Sequence, residues 1–213
     1  MSIITTQAKE NILKRIRKAL AQTTAMPFPQ RELPASLFAA PQQDLSVLFA
    51  EQFGKLMGKF IYCQSLDEFR IQWAGVLKFA NWEQIYCADE ILKQQLGAAF
   101  AEDCNHTDLT TCDVAITGCE AVVARTGTLV LSAKIAQGRT TSVYAPIHIC
   151  IAFSDQLVFD TKDALSALKL KYADQLPSLI TFATGPSRTA DIEKTLVVGV
   201  HGPKEVYCFL IQR

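Results

Sequence analysis

The chain has 213 residues, of which 49% are hydrophobic, and its 21 basic side chains balance its 21 acidic ones. This length allows one sizeable core, and a net charge of zero gives no general attraction to nucleic-acid phosphates. No apolar run approaches the roughly 20 residues that a membrane-spanning helix needs, and the N-terminus does not resemble a signal peptide. We therefore expect a cytosolic protein with one main domain, no nucleic-acid partner and no membrane span.

The N-terminal region predicts an arm. Residues Thr6 to Ala21 have apolar side chains at four-residue steps beside a basic surface, which predicts an amphipathic helix. Its basic face is either an ordinary solvated surface, which is the commoner case, or a docking arm for a partner protein. Four of the eight prolines follow within residues 22–43 and predict an extended connector. We expect the arm and connector to occupy residues 1–43 and the domain residues 44–213.

The first part of the domain predicts alternating strands and helices. After a helix that Asp44 can cap, the predicted elements are strands Phe60–Cys63, Gln84–Ala88 and Asp113–Thr117, a helix with a capping box at Ser65–Glu68, and a helix over Asp89–Phe100. Strands separated by helices of this length predict parallel pairing in an α/β sheet.

The second part predicts consecutive strands, at Thr128–Ser132, Ser142–Ala145 and His148–Phe153. Short connections between them indicate a mixed sheet or a small β insertion. A helix near Lys162–Tyr172 and strands at Leu179–Ala183 and Glu205–Ile211 complete the prediction.

Seven cysteines are present, an odd number, and no two of them form a Cys-x-x-Cys pair. This pattern argues against a disulfide framework and against a metal held by thiolates. We expect Cys63, Cys87, Cys150 and Cys208, which lie in apolar runs, to be core residues, and Cys104-Asn105-His106 is the one pairing to watch. Dinucleotide, Walker and nucleophile-elbow motifs are also missing, so we expect no bound cofactor and no metal.

Four loops combine glycine with hydroxyl or charged side chains: Thr126-Gly127-Thr128, Gly138-Arg139, Gly185-Pro186-Ser187 and Val200-His201-Gly202-Pro203. Such loops allow a backbone to approach a small anion closely, although each also suits an ordinary turn. In open α/β sheets ligands bind beyond the carboxyl ends of strands, so we expect the four loops to meet at one such edge.

The side chains of these loops suggest individual roles. Arg139 offers a planar fork for a carboxylate, or is simply an exposed loop arginine. Ser187 or Thr189 can cap a short helix that begins at Ala190, where Asp191 either faces a ligand or solvates the first turn. His201 is a candidate proton carrier, whereas we interpret His148, at a strand start, as structural.

Together with Thr189-Ala190-Asp191-Ile192-Glu193, these segments resemble the LUD domain of the lactate-utilization protein C family over residues 60 to 211. The resemblance implies a Rossmann-like α/β fold of the NagB/RpiA/CoA-transferase-like type, a mixed sheet with helices on both faces. The implied ligand-binding residues are Thr126, Gly127, Thr128, Arg139, Ser187 and Thr189, with His201 and Asp191 as catalytic candidates. Arg125 departs from the family pattern, which generally has an acidic residue there.

Two functions follow from the resemblance. In the first, the chain is an accessory subunit that works with iron–sulfur proteins oxidising L-lactate to pyruvate, and it binds a small carboxylate or a partner. In the second, it is an independent enzyme of the same fold group that acts on a sugar phosphate, a CoA thioester or a folate. Whether the chain is itself an enzyme stays open at this stage.

Overall fold

The computed structural model describes residues 7–21, 40–135, 139–190 and 196–213. Internal contacts divide the chain into two units, Met1–Ala40 and Pro41–Arg213. The first unit contains the predicted amphipathic helix, and none of its described residues is buried. Most of the predicted connector lies outside the described residues, and the domain boundary after residue 43 stays a prediction. Across the described ranges, no helix has the length and apolarity to cross a membrane.

Seven helices and eleven strands are described. The helices are α1 Gln7–Leu20, α2 Leu45–Lys55, α3 Leu66–Ala80, α4 Glu90–Leu96, α5 Ala98–Asp103, α6 Thr141–Tyr144 and α7 Thr161–Tyr172. The strands are β1 Lys59–Cys63, β2 Ile85–Cys87, β3 Val114–Thr117, β4 Ala121–Val123, β5 Thr128–Ser132, β6 Ile147–Phe153, β7 Leu157–Val158, β8 Ile180–Ala183, β9 Arg188–Ala190, β10 Leu196–Val198 and β11 Glu205–Ile211.

The central sheet has five strands in the order β1-β11-β6-β3-β2, and every neighbouring pair is parallel. Its strands come from both ends of the domain: the last strand, β11, lies between β1 and β6. The sheet is therefore complete only when β11 is in place. This architecture confirms the predicted α/β fold of Rossmann-like type.

Both faces of the central sheet are buried. Along β6, Ile149, Ile151 and Phe153 pack with α3, α4 and α5 on one face. The alternate residues Cys150 and Ala152 face α2 and a second sheet. A strand that is covered on both sides needs apolar residues at consecutive positions, which explains the unbroken apolar sequence of β6 after His148.

The second sheet has four strands in the order β7-β4-β5-β8, with one parallel pair and two antiparallel pairs. Its inner face packs on α2 and the central sheet, and its outer face packs on Ala164 and Leu168 of α7. All five residues of β5 are consequently buried. This sheet accounts for the predicted β insertion.

Helix caps formed as predicted. The Asp44 side chain accepts a hydrogen bond from the Ser46 amide at 2.7 Å and begins α2. The Ser65 hydroxyl accepts one from the Glu68 amide at 3.1 Å and begins α3. The Glu68 carboxylate accepts from the Gln64 amide at 2.7 Å, one residue earlier than in a standard capping box.

Three local predictions were wrong. The segment predicted as a strand at Ser142–Ala145 is α6, because its amides turn back onto the Thr140 carbonyl and leave Tyr144 exposed. The helix predicted over Asp89–Phe100 is divided into α4 and α5 at Gly97, whose φ of 106° no α-helix contains. No helix begins at Ala190, because that residue ends β9, which pairs with β10.

Gly127 fixes the turn that enters β5 against α2. It has a φ of 60°, and a Cβ atom there would lie 2.6 Å from the backbone nitrogen of Phe53. The neighbouring atoms are helix backbone and cannot rotate aside, so only glycine fits at this contact.

We therefore expect Gly127→Ala to lower the free energy of unfolding by about 2–4 kcal/mol, from left-handed strain and overpacking together. Urea denaturation measures the change. Gly54→Ala is the matched control, because Gly54 lies within α2 with nothing within 4 Å of its added Cβ. That control should be neutral or stabilising by about 0.5–1 kcal/mol. Equal effects of the two substitutions would contradict the packing argument.

His148 is a buried imidazole near the start of β6. It is 1% exposed, and its Nε2 atom lies 2.8 Å from the Thr117 hydroxyl. Burial lowers the pKa of His148 from 6.5 to about 4, so the ring is neutral at physiological pH.

The unfolded chain therefore binds a proton at His148 that the folded chain does not, and stability falls as the pH drops from 6.5 towards 4. The full loss should be about 3 kcal/mol, with about 2 kcal/mol lost by pH 5. Unfolding of the wild type and of His148→Asn at pH 7 and pH 5 isolates this term, because the carboxylates cancel in the difference. Identical pH dependence in the two proteins would show that His148 does not contribute.

Candidate functional site

A cleft of about 410 Å³ lies where the start of β6 and the segment before β11 meet the end of β8. We call it the His201 cleft. Its polar lining residues are Ser142, His148, Thr181, Thr184, Ser187, Arg188 and His201. The volume falls within the range of small-molecule sites.

Two glycines shape the cleft. Gly185 reverses the chain after β8 with a φ of 75°, and a Cβ atom there would lie 2.7 Å from the Leu56 carbonyl oxygen. A Cβ atom on Gly202 would lie 2.9 Å from Cβ of Ser187. The Ser187 amide also donates to the Pro203 carbonyl at 2.9 Å. These contacts hold the loop after β8 against the loop before β11, so Ser187 and His201 line one cleft.

The cleft offers hydroxyl groups, two imidazoles and one guanidinium. None of the lining residues in the described part of the chain is an aspartate or a glutamate. The His148 ring is held neutral by its burial, whereas His201 is exposed to solvent. A cleft with several donors and no lining carboxylate favours a small anion over a cation.

Arg188 supplies the guanidinium, and the sequence interpretation missed it. Its Nη2 atom donates to the Leu56 carbonyl at 2.8 Å, at the carboxyl end of α2, where a cation also complements the helix dipole. The signal available in the sequence was its position directly after Ser187, in the same loop as a predicted ligand-binding residue.

Thr126, Gly127 and Thr128 do not line the cleft. Gly127 is buried against α2, and the Thr126 and Thr128 hydroxyls lie 2.8 Å apart. The Thr128 hydroxyl also lies 2.8 Å from that of Thr184, which does line the cleft. This turn therefore supports one wall of the cleft from behind.

Arg139 and Thr189 also lie away from the cleft lining. The Arg139 guanidinium donates to the Ser178 hydroxyl at 2.6 Å, near the start of β8 and not at its end. Thr189 lies in β9 opposite Val197, so it caps no helix. Asp191 lies outside the described residues.

Arg125, which precedes the Thr126-Gly127-Thr128 turn, points to α7. Its guanidinium donates to the Asp160 carboxylate at 2.9 Å, and Asp160 is the N-cap residue of α7. The hydrogen bond from Arg125 lowers the pKa of Asp160. The arginine thereby joins the turn before β5 to α7.

The predicted meeting of all four loops at the carboxyl edge of the sheet is not observed. The His201 cleft lies at the amino ends of β6 and β11, because the strands that precede its loops are β8 and β10. Neither of those strands belongs to the central sheet. Ligands bind beyond the carboxyl ends of strands within the central α/β sheet, and this rule does not extend to loops that follow β8 and β10.

All seven cysteines are buried free thiols, and this confirms the core position predicted for Cys63, Cys87, Cys150 and Cys208. Burial raises the pKa of Cys63 and of Cys87 to about 11. Among the described residues, no three histidine, cysteine or acidic side chains are grouped as metal ligands.

Comparison with known proteins gives related sequences and one related structure. A lactate utilization protein C from Deinococcus radiodurans is 32% identical over 108 residues, which is 50% of each chain. Another from Halalkalibacterium halodurans is 34% identical over 139 residues, 64% of this chain and 56% of the relative. The chain thus spans about half the length of these relatives.

The crystal structure of a DUF162 family protein from Deinococcus radiodurans aligns with a TM-score of 0.57 and 20% identity. The alignment covers 78% of this chain and 96% of that one, and it supports the fold alone. The LUD domain family matches residues 1–211 of the sequence. The chain therefore belongs to the LUD domain family.

Proposed function

We propose that this chain is an accessory protein of lactate utilization and that it binds a small carboxylate in the His201 cleft. The names of the two relatives support the pathway. The observation that carries the ligand is the grouping of Ser187, Arg188 and His201 in a cleft whose described lining has no carboxylate.

Each side chain has a role suited to a 2-hydroxy or 2-oxo carboxylate. The Arg188 guanidinium would pair with the carboxylate, and its bond to Leu56 restricts its position. The Ser187 hydroxyl would donate to a second oxygen. His201 would exchange a proton with the hydroxyl or carbonyl oxygen at the neighbouring carbon.

Oxidation of L-lactate to pyruvate releases two protons and two electrons, and the electrons need an acceptor. We assign that acceptor to partner iron–sulfur proteins, as the family resemblance implies. The amphipathic arm would dock such a partner through the basic and apolar faces of α1, while the domain from residue 44 onward holds the carboxylate.

The ligand site is tested by replacing each of the two arginines. Arg188→Ala should weaken binding of L-lactate or pyruvate by about 2 kcal/mol, or roughly thirtyfold, because a charge-assisted pair is lost. Arg139→Ala is the matched control and should leave the affinity unchanged, since Arg139 is bonded to Ser178 away from the cleft. Calorimetric titration measures both.

Thermal unfolding of each variant shows whether the Leu56 or Ser178 contact matters for the fold. A loss of affinity with Arg139→Ala alone would move the ligand out of the His201 cleft. Equal affinity in both variants and the wild type would show that neither Arg188 nor Arg139 binds the carboxylate.

The partner assignment is tested by deleting residues 1–43. The shortened chain should keep its carboxylate affinity and its cooperative unfolding, but should no longer co-purify with its partner iron–sulfur proteins. The double substitution of Ile12 and Ile16 by serine should have the same effect with the chain length unchanged, because both side chains are exposed on α1. If the deletion variant and the double-substitution variant both co-purify with the partner as well as the wild type does, the partner surface lies outside α1.

A further inference from the structure

A second cleft, of about 340 Å³, opens at the opposite end of the central sheet. We call it the carboxyl-edge cleft. Its lining includes Asp89 after β2, Gly118 after β3, Phe153 at the end of β6 and Arg213 after β11. It shares no lining residue with the His201 cleft.

The cleft lies where neighbouring strands send the chain in opposite directions. Strand β2 leads through Asp89 into α4, which packs on one face of the central sheet. The adjacent strand β3 leads through Gly118 into β4 of the second sheet, on the other face. A crevice opens between the carboxyl ends of two such strands, and open α/β sheets bind ligands at this position.

Part of the cleft wall is apolar, and the cleft has room for a flat group. Ile151 and Phe153 of β6 line it together with Leu92 of α4. A Cβ atom on Gly118 would approach nothing closer than the Asp89 carboxylate, at 3.9 Å. Open space therefore extends above the end of β3, between the β2–α4 connection and the β3–β4 connection.

The Asp89 carboxylate lines the cleft and caps α4 by accepting a hydrogen bond from the Leu92 amide at 3.0 Å. The other charged groups fall into two sets. Glu120, whose side chain is 1% exposed, accepts hydrogen bonds from Lys171 at 2.8 Å and Tyr172 at 2.7 Å. The Glu120 carboxylate and the Lys171 ammonium group form an ion pair and are part of the cleft wall.

The second set faces outward. The Arg213 guanidinium lies 3.9 Å above the Phe153 ring centre, and its ion pair with Asp155 is long, at 3.6 Å. Lys134 is exposed, and within the described ranges its ammonium group has no ion pair. A partly apolar wall beside the two outward-facing cations Lys134 and Arg213 suits a ligand with a flat apolar part and a compact anionic group.

We propose that the carboxyl-edge cleft binds a phosphorylated small molecule with a planar ring, of the nucleoside monophosphate class. Lys134 and Arg213 donate hydrogen bonds to the phosphate. The ring occupies the space above Gly118, beside Ile151 and Phe153. The site is separate from the carboxylate site of the His201 cleft, so the two proposals stand or fall independently.

The test is calorimetric titration of the full chain with AMP, and with inorganic phosphate and adenosine as its two halves. We expect AMP to bind at least about tenfold more tightly than either half, since both parts of the cleft contribute. Gly118→Leu fills the space without a backbone penalty, because Gly118 does not have a positive φ, and it should abolish AMP binding. Lys134→Ala should weaken AMP binding about tenfold through loss of a charge-assisted contact.

Two controls separate this site from a general effect. Gly54→Leu places the same side chain on the exposed surface of α2, where nothing lies within 4 Å, and should leave AMP affinity unchanged. Arg188→Ala should leave AMP affinity unchanged as well, while carboxylate binding is weakened roughly thirtyfold. Absence of AMP binding at millimolar concentrations, equal binding of AMP and inorganic phosphate, or AMP binding that survives Gly118→Leu would each overturn the proposal.

Discussion

A second sheet covers one face of the central sheet, and α2 packs against both sheets. This packing determines where the chain can form a cleft. Phe49 and Phe53 of α2 pack against both sheets and stack at 5.0 Å between ring centroids. An apolar contact of this kind tolerates little change in shape, because protein interiors are packed as densely as organic crystals. The close approach of Gly127 to the same helix fixes the position of β5, and β5 pairs with β8. The end of β8 is thereby held at the His201 cleft.

The carboxyl end of α2 then contributes directly to the cleft wall. The Leu56 carbonyl accepts a hydrogen bond from Arg188 and leaves no room for a side chain at Gly185. The last turn of α2, at Phe53, thus supports the turn before β5, and its C-cap residue, Leu56, supports the loop after β8. A site built in this way uses loops for its chemistry but takes its precision from a rigid element.

Long periodic elements could be predicted from the sequence, and short ones could not. Strands β5 and β11 begin and end where the apolar runs predict, and Asp44 and Ser65 cap their helices. The strands β4 and β7 have three and two residues, too few for any period to show. The sequence groups Ser187 and His201 because each lies in a glycine-containing loop after an apolar run, but they meet at the amino ends of β6 and β11 and not at the expected carboxyl edge. Arg188, at the start of β9, could not be distinguished from Arg139 in the sequence, since the direction of each side chain depends on packing such as the Gly202 contact with Ser187.

The seven buried thiols give the fold a built-in set of reporters on its own motions. Cys63, Cys87 and Cys104 lie in the core between the central sheet and α3 to α5, and Cys119, Cys150 and Cys208 lie in the core on the α2 side. A thiol reagent can modify such a side chain only after the surrounding layer has opened, so the rate at each cysteine measures the free energy of that local opening. Alkylation followed by mass spectrometry would therefore distinguish separation of the two sheets from loss of the helical layer, without any label added to the chain.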